Sequence, residues 1–232
     1  MIADPHCHTL ASDGMVTAKQ LVEAAVDARL DLIAVTDHDT MASVREAQAR
    51  AEDLGLTVVP GQEITTKWPA QTHVLAWFLE KPVKGGMSLE DTVGAIHDQG
   101  ALAIFPHPFM PTYFASVQPG MLRRLIEKHP VDGIELEFTP PIGARRRQLL
   151  RDFYGQNVER LGAALGGSDC HFGAHDIGVV VTRYEGDFRK AVEQRTTRPE
   201  RVRPRKVPTG IALRQQWRAL VEVPLLRARG EL

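Results

Sequence analysis

Histidine and carboxylate side chains stand close together at the amino terminus of this sequence. Residues 4–8 read Asp-Pro-His-Cys-His, and Asp13 follows on the next polar stretch. Because a β-strand points alternate side chains to one face, His6 and His8 are able to reach one ion together while Cys7 faces the other way. Two strand histidines are equally compatible with an ordinary half-buried pair, so this stretch alone leaves both interpretations open.

Similar polar side chains recur along the rest of the chain. Short apolar runs end in Thr36-Asp37-His38-Asp39, Gly61-Gln62-Glu63, His107-Pro108 and Ser168-Asp169-Cys170-His171, and His73 opens a further run. The carboxyl ends of the strands in an α/β barrel form one rim, which is where active sites are built. We therefore expect these side chains to meet at one rim, with the strand of His73 running antiparallel to its neighbours.

The elements that must position these residues alternate between two periodicities. Strands are predicted at residues 2–5, 32–35, 57–59, 73–78, 102–105, 133–136, 163–167 and 178–181, and helices at 17–29, 41–54, 88–99, 120–129, 144–154 and 186–195. Such alternation predicts a parallel sheet with helices outside it. About seven β/α units suit a barrel, although short helices leave an open sheet as the alternative.

Composition and charge narrow the class of protein. The chain has 232 residues, 43% of them hydrophobic, and a formal net charge of −1, so it has enough apolar residues for a core and no strong field toward nucleic acid or anionic membranes. Neither a signal peptide nor a membrane span is predicted, and a cytoplasmic location is expected. The two cysteines provide no disulfide framework.

The carboxyl-terminal part differs from the rest. We divide the chain into a barrel at residues 1–194 and an appendage at 195–232, in which a basic linker or surface arm at 195–206 precedes an amphipathic helix at 211–229. The helix is expected to pack on the barrel or on a neighbouring subunit through Leu213, Trp217, Leu220 and Val221, and to kink or end at Pro224. Contact with RNA or an anionic surface is the alternative interpretation of the arm, and a solvated connection is favoured.

The donor side chains are too many for one tetrahedral ion. The nine candidate metal ligands are His6, His8, Asp13, His38, Glu63, His73, His107, Asp169 and His171. They suffice for two or three divalent ions with a bridging carboxylate, and a shell without thiolates suits zinc, manganese or iron. Scattered, hydrogen-bonded histidines are the alternative, which the shared rim disfavours. Cys7 is interpreted as a small core residue, and the role of Cys170 is left open.

Taken in this order, the motifs resemble the PHP superfamily, named for polymerase and histidinol phosphatase, over about residues 1–185. The resemblance implies a distorted (β/α)7 barrel of the PHP type with a metal cluster at the strand ends, followed here by a C-terminal helical tail. It implies that the first ion is held by His6, His8, Glu63 and Asp169, the second by Glu63, His73 and His107, and the third by Asp13, His38 and His171. Asp4, Asp37 and Asp39 are expected to orient histidines through hydrogen bonds.

The function that follows is that of a metal-dependent phosphoesterase. A phosphomonoester, small nucleotide or short oligonucleotide is expected to be cleaved by a metal-bridged hydroxide, with Glu63, Asp13 and His38 as the catalytic residues. The alternatives are a 3′–5′ exonuclease or other nucleic-acid hydrolase, and a non-catalytic metal-binding module that stabilises a partner. A small phosphorylated substrate is favoured over nucleic acid, no membrane partner is expected, and the sequence does not indicate an oligomeric state.

Substrate contacts are predicted from residues near the rim. Arg145, within the run at 145–147, is a candidate phosphate clamp, and Lys67 is a similar candidate beyond Glu63. A solvated helix face is the competing interpretation for the arginines. The aromatic loop at residues 109–114 could either stack a base or sugar or cap the barrel.

Overall fold

Residues 1–112 and 114–230 are described by the computed structural model, and they form one mixed β-sheet surrounded by helices. The strands are β1 (Ile2–Cys7), β2 (Leu32–Val35), β3 (Thr57–Thr65), β4 (His73–Trp77), β5 (Leu102–Phe105), β6 (Gly133–Phe138), β7 (Ala163–Gly167), β8 (Val180–Arg183) and β9 (Arg198–Arg201). They lie in the order β7-β6-β5-β4-β3-β2-β1-β8-β9. The sheet curls into a nearly closed barrel, because Cys7 at the end of β1 forms a parallel bridge with Cys170 just after β7. This architecture confirms the expected PHP-type barrel.

Helices cover the outside of the barrel. They are α1 (Ala18–Asp27), α2 (Val44–Leu54), α3 (Leu89–His97), α4 (Pro119–Ile126), α5 (Ala144–Leu161), α6 (Phe188–Glu193), α7 (Thr209–Trp217) and α8 (Val223–Arg229). Local signals explain their ends: Thr17 and Gln20 form a capping box at α1, and the Ser88 side chain caps α3. Gly55 ends α2 in the left-handed conformation at φ 72°. None of the helices in the described ranges combines the length and apolar character that crossing a bilayer requires.

Strand directions determine which residues share the rim. β1, β2 and β3 run parallel to one another, as do β5, β6 and β7, whereas β4 is antiparallel to both β3 and β5. The start of β4 therefore lies beside the ends of its neighbours, and Thr65 near the end of β3 pairs with His73. The antiparallel edge predicted for His73 is confirmed.

The period-two alternation of the strands divides the core between the inside and the outside of the barrel. In β2, Leu32 and Ala34 face inward and pack in one apolar cluster with Trp77. Ile33 and Val35 face outward and pack in another cluster against α1 and α2. All five side chains are essentially inaccessible to solvent. A continuous apolar run is what a strand buried on both faces requires.

The structure corrects two predicted elements. β3 extends to Thr65 rather than ending at residue 59, so Glu63 lies within a strand and not in a loop after it. The basic stretch predicted as a linker contains β9, which pairs antiparallel with β8 and carries an Arg183–Glu200 ion pair across the two strands. Arginine and proline are unusual in a central strand, but β9 is an edge strand, where both are tolerated. The division of the chain at residue 194 stays a prediction.

The carboxyl-terminal helix also differs from its prediction. α7 continues through a π-helical segment (Arg218–Glu222) into α8, so the chain remains helical through Pro224. The predicted apolar face does not pack on the barrel, because Leu213, Trp217 and Leu220 are 62%, 58% and 77% exposed. Polar side chains make the contacts with the barrel rim instead.

Candidate metal centre

All nine predicted ligands lie at one rim of the barrel, at or next to strand ends. β1 carries His6 and is followed directly by His8, β3 carries Glu63, β4 begins with His73, and the remaining five stand in the loops that follow β1, β2, β5 and β7. The parallel bridge between Cys7 and Cys170 explains part of this convergence. Both cysteines point into the core, so the residues flanking them point to the opposite side, into the centre.

Glu63 lies in the middle of the centre and is fully buried. Its Oε2 lies 3.3 Å from His6 Nε2, 3.2 Å from His8 Nε2 and 3.3 Å from His38 Nδ1. Its Oε1 lies 2.8 Å from His73 Nδ1 and 3.1 Å from His107 Nε2. Each oxygen thus faces its own set of imidazoles, which is the arrangement of a carboxylate able to bridge two ions.

Three overlapping groups of side chains have the spacing to hold an ion. They consist of His6, His8, Glu63 and Asp169; of His38, Glu63 and His73; and of His8, Asp13, His38 and His171, each with donor atoms within 4.8 Å of one another. His107 joins them through its contact with Glu63. The structure therefore brings all nine predicted ligands together.

Unpartnered polar atoms test whether these side chains fit metal ions. Eight buried side-chain nitrogen and oxygen atoms in the described residues lack a partner in hydrogen-bonding geometry, even where a carboxylate oxygen is close, and five of them belong to the centre: both ring nitrogens of His8, Asp13 Oδ1, His38 Nδ1 and His73 Nδ1. Buried polar groups are normally satisfied, and such exceptions call for an explanation. Cations among these atoms would supply the missing interactions, so the donor set fits metal ions.

Charges at the centre are strongly coupled. Burial would raise the pKa of Glu63, but neighbouring His38, His73 and His6 outweigh it and hold that pKa well below its usual range. Burial would lower the pKa of His171, but the Asp13 and Asp169 carboxylates raise it to about 10. The carboxylates are therefore ionised at neutral pH, while His171 retains a proton for which a metal ion must compete.

At His38, in contrast to His171, the effect of burial on the pKa outweighs that of the neighbouring carboxylates. It lowers the pKa of this imidazole to about 3, and the nearby His8 and His73 lower it further, against the attraction of Glu63 and Asp13. His38 is consequently neutral at neutral pH, with a lone pair available to an ion.

Glu135 is a residue of the centre to which sequence reasoning gave no role. Its Oε1 lies 2.9 Å from His6 Nδ1, and its Oε2 accepts a hydrogen bond from the backbone N–H of His107 at 2.7 Å. Gly167 makes room for it, since a Cβ at that position would lie 2.4 Å from Glu135 Oε1 and 2.7 Å from the Cβ of His6. The orientation of a metal-ligating histidine commonly depends on such an acceptor behind the imidazole.

The orienting role expected of the other acids is wrong for the described residues. Asp4 accepts hydrogen bonds from the backbone N–H groups of Ser168 and Gly178 and not from a histidine. Asp37 accepts from Thr9, Ser12 and Ser43, and Asp39 from the N–H of Thr65. These carboxylates shape the loops that carry the ligands, because the loop amides lie closer to them than the imidazoles do.

Both cysteines are core residues. Cys7 and Cys170 are fully buried, and neither belongs to a group of side chains with metal-binding spacing. Burial raises the pKa of the Cys7 thiol to about 11 and that of Cys170 well above its usual value. The core interpretation of Cys7 is confirmed, and Cys170, whose sulfur lies 3.1 Å from Asp176 Oδ1, joins it.

Two of the ligands occupy unusual backbone conformations. His107 has a φ of 30° and Asp169 a φ of 51°, both in the left-handed region that non-glycine residues seldom adopt. Each stands two residues beyond the end of a strand, β5 for His107 and β7 for Asp169. Backbone strain of this kind is characteristic of functional sites.

Two cavities open onto the centre. One has a volume of about 230 Å³ and is lined by His38, Glu63, His73, His107, Met110, Thr112, Phe114, Ala115, Ser116, Pro140, Asp169 and His171. The other has a volume of about 410 Å³ and is lined by Asp169, His171, Phe172, Arg205, Val207, Ala212, Gln215 and Gln216. Asp169 and His171 belong to both, so the centre is accessible from two sides.

Residues from the carboxyl-terminal region, which sequence reasoning left out, form the wall of the larger cavity. The Arg205 guanidinium lies 5.0 Å over the Phe172 ring and 3.1 Å from Asp176 Oδ2. The side-chain amide of Gln215 donates to Asp13 Oδ2 at 3.0 Å. No local pattern reveals such contacts, since Gln215 and Asp13 are separated by 202 residues.

The predicted substrate contacts lie apart from these cavities. Arg145 and Lys67 are exposed and line neither of them. The next arginine, Arg146, donates to the backbone carbonyl of Phe109, as a structural residue would. Both predicted contacts therefore stay predictions, without a position in the cavities to support them.

The aromatic loop at 109–114 divides between the two roles that the sequence left open. Phe109 is fully buried and packs edge-on against Phe153 in the core. Phe114 is half exposed, stacks on Trp68 and lines the smaller cavity. Tyr113 lies outside the described residues.

Comparison with known proteins identifies the family. Residues 4–175 match the PHP domain. The chain is 31% identical over 102 residues to a 5′–3′ exoribonuclease of Haemophilus influenzae, covering 44% of this chain and 37% of that protein. It is 33% identical over 73 residues to a 3′,5′-nucleoside bisphosphate phosphatase of Chromobacterium violaceum, covering 31% and 26% respectively. The chain thus spans well under half the length of these two relatives.

A solved structure shows the same fold. A two-domain protein of Bacteroides vulgatus, described as containing a PHP-like metal-dependent phosphoesterase, superimposes with a TM-score of 0.66 at 24% identity. The match covers 86% of this chain and 64% of that one.

Proposed function

This chain belongs to the PHP domain family, and from that premise we propose that it is a metal-dependent phosphoesterase acting on small phosphate esters of the nucleotide class. The observation that carries the proposal is the convergence of unpartnered buried donor atoms around Glu63. A set of carboxylates and imidazoles that bind only one another would be costly to bury, whereas cations compensate them.

We assign three ions to the three groups of donors. The first is held by His6, His8, Glu63 and Asp169, the second by Glu63, His73 and His107, and the third by Asp13, His38 and His171, which His8 also approaches. The mixed nitrogen and oxygen shell suits zinc, manganese or iron. Divalent ions at such a centre lower the pKa of water and neutralise the charge on phosphoryl oxygens.

The residues of the chain then have distinct tasks. Glu63 places its two oxygens toward different imidazoles, so it keeps two ion positions at a constant separation. Asp13 and His38 stand on the solvent side of the centre, with side chains 12% and 18% exposed, whereas Glu63 is inaccessible. The phosphoryl group lies against this exposed side. His38 is neutral at neutral pH, so it offers a lone pair to an ion and adds no positive charge that would repel that ion.

The leaving group of the ester occupies the larger cavity. Its volume of about 410 Å³ falls within the range of small-molecule sites. Arg205, whose guanidinium lies over the Phe172 ring, lines this cavity together with Gln215 and Gln216. This mixture of a cation, amides and an aromatic ring suits a polar, anionic group such as a nucleotide.

Hydrolysis of short RNA is the second candidate activity, favoured because the centre opens on two sides through Asp169 and His171. The name of the Haemophilus influenzae relative gives a 5′–3′ polarity rather than the 3′–5′ polarity considered from sequence. The net charge of −1 argues against tight binding of long polymers.

Metal analysis combined with a substrate series tests the proposal. Purified protein is stripped with chelator, reloaded separately with zinc, manganese or iron, and assayed on p-nitrophenyl phosphate, bis-p-nitrophenyl phosphate, a nucleoside 3′,5′-bisphosphate and a 5′-phosphorylated RNA of a few nucleotides. Metal-dependent release of phosphate or nucleotide is expected, and Glu63→Gln should abolish it together with at least one bound ion. Full metal loading without hydrolysis of any of these esters would favour the non-catalytic module instead.

The assignment of the leaving group has its own test. Arg205→Ala should raise KM for the nucleoside bisphosphate about 10-fold or more while kcat changes less, because a charge-assisted contact contributes about 1.5–3 kcal/mol. Arg203→Ala is the matched control, since Arg203 donates to the backbone carbonyls of His175 and Ile177 and does not line the cavity. Equal KM values for the two variants would remove Arg205 from the substrate site.

A further inference from the structure

The carboxyl-terminal helix, residues 209–229, contacts the two loops that supply Asp13 and His38. Gln215 Nε2 donates to Asp13 Oδ2 at 3.0 Å. Arg218 Nη2 donates to the carbonyls of Leu10 and Ser12 at 2.7 and 2.9 Å, just ahead of Asp13. A third side chain, that of Arg227, reaches the loop that carries His38.

Arg227 makes the equivalent contacts on the loop after β2. Its Nη2 donates to the carbonyl of His38 at 2.7 Å, and its Nη1 lies 3.3 Å from Asp39 Oδ2. The helix therefore spans both loops and touches each of them at, or next to, a residue of the His8, Asp13, His38 and His171 group.

The π-helical segment allows one helix to make all these contacts. Arg218 and Arg227 are nine residues apart, which in a regular helix of 3.6 residues per turn would place them about 180° apart, on opposite faces. The wider turn between Arg218 and Glu222 absorbs one residue, which reduces that angle to about 80°. Both arginines consequently reach the barrel rim from the same side of the helix.

Apolar packing does not explain where the helix lies. Leu213, Trp217, Leu220 and Leu225 are all more than half exposed, and Val223 is the buried apolar side chain of its second half. Helices usually dock through an apolar face. Here polar contacts to the ligand loops determine the position of the helix.

We propose that this helix is a positioning element for the third ion, the one assigned to Asp13, His38 and His171. The helix holds the two loops at the separation at which Asp13 and His38 reach the same ion. Among the described residues, the helix makes no hydrogen bond or ion pair with the donors assigned to the other two ions, so those two positions should not depend on it. The proposal rests on the metal centre of the proposed function, but it concerns the binding of the third ion and not the reaction.

Metal stoichiometry and affinity of the full chain provide the test. Gln215→Ala combined with Arg218→Ala should bind one ion equivalent fewer than wild type at a buffered free metal concentration, or bind that ion about 10- to 100-fold more weakly, as is typical when partners of ligands are removed. Arg218→Lys retains a donor and should restore part of the affinity. Arg214→Ala is the matched control, because Arg214 is exposed, lies beside the other two residues and makes no side-chain hydrogen bond or ion pair with either loop among the described residues.

Three results separate the alternatives. Loss of a single ion with unchanged circular dichroism supports the proposal. Unchanged ion content together with unchanged affinity overturns it, and so does simultaneous loss of all ions, which would make the helix a support of the whole barrel. If wild-type protein binds its ions but hydrolyses no phosphate ester, the proposed function fails while the ion measurement still decides this proposal.

Discussion

Glu135 offers a sharp test of how the centre is supported, because it touches two ligands without belonging to any metal-binding group. Its two oxygens accept from different donors, His6 Nδ1 at 2.9 Å and the backbone N–H of His107 at 2.7 Å. Glu135→Gln preserves the shape of the side chain but replaces one acceptor oxygen by an NH2 donor. In one of the two contacts, the new NH2 group would then face the N–H group of His6 or of His107.

Either orientation of the new amide damages the centre. With its NH2 toward His6, the imidazole must move its proton to Nε2, the atom that lies 3.3 Å from Glu63 and 3.4 Å from Asp169 and is needed for an ion. With its NH2 toward His107, a buried backbone N–H loses its acceptor. A buried group left unsatisfied costs about 1–3 kcal/mol, so the first ion should bind about 10- to 100-fold more weakly.

Metal affinity measured by competition with a chromogenic chelator provides the assay, alongside kcat/KM for a phosphate ester. Glu137→Gln is the matched control, two residues along the same strand, since Glu137 pairs with Arg147 and Arg151. Glu137 makes no hydrogen bond or ion pair with a proposed ligand among the described residues, so the control should keep wild-type metal affinity. Wild-type metal affinity in Glu135→Gln would refute the supporting role of Glu135.

Three further predictions concern packing, protons and thiols. Gly167→Ala should destabilise the fold by about 1–3 kcal/mol in chemical denaturation, because its Cβ would collide with Glu135 Oε1. Metal binding should release protons, and apparent affinity should rise between about pH 6 and about pH 8, because the pKa of His171 is raised to about 10 in the metal-free chain and the ion must displace that proton. Cys7 and Cys170 should resist alkylation at about pH 8 until the chain is unfolded, because burial keeps both thiols neutral and thiolate is the reactive form.

Each of these has a control and a contradicting result. Gly155→Ala lies where a Cβ meets nothing within 4 Å, so it should cost no stability, and an equal loss in both variants would point to a general effect. Calorimetry in two buffers of different ionisation enthalpy measures proton release, and identical heats would contradict the pKa argument. Rapid alkylation of the native chain would mean that the two cysteines are accessible.

Much of the metal centre could be predicted because its ligands follow a local rule. Polar residues directly after a buried apolar run stand at a strand end, and parallel strands bring their ends to one rim. His73 departs from this rule, since it begins its strand. If that strand runs antiparallel to its neighbours, its first residue lies at the same rim, and the structure confirms the antiparallel pairing.

The support around the ligands could not be predicted in the same way. Glu135 lies in β6, and the alternation of a strand does not by itself show whether a given side chain faces the outer helices or the inside of the barrel. A bulge between Glu135 and Glu137 also changes the register of the strand there. Gln215 lies 202 residues from Asp13 in sequence, with no periodic signal to link them. The prediction for Trp217 and Leu220 is wrong, because an amphipathic pattern predicts a packed apolar face and both side chains are exposed in the structure.

The bridge between Cys7 and Cys170 depends both on the local alternation of side chains and on a pairing between segments distant in sequence. Each cysteine stands between two metal-ligand candidates, and the alternation of a strand explains why a thiol points away while its neighbours converge. Only the pairing of the first strand with the segment after β7 makes those two alternations face the same ion. Two backbone hydrogen bonds, from His8 N–H to Cys170 O at 2.8 Å and from Cys170 N–H to His6 O at 3.0 Å, maintain that register. A slip of the segment after β7 by one residue would turn Cys170 into the centre and Asp169 and His171 out of it, so the register of this bridge is as necessary to the site as the ligands themselves.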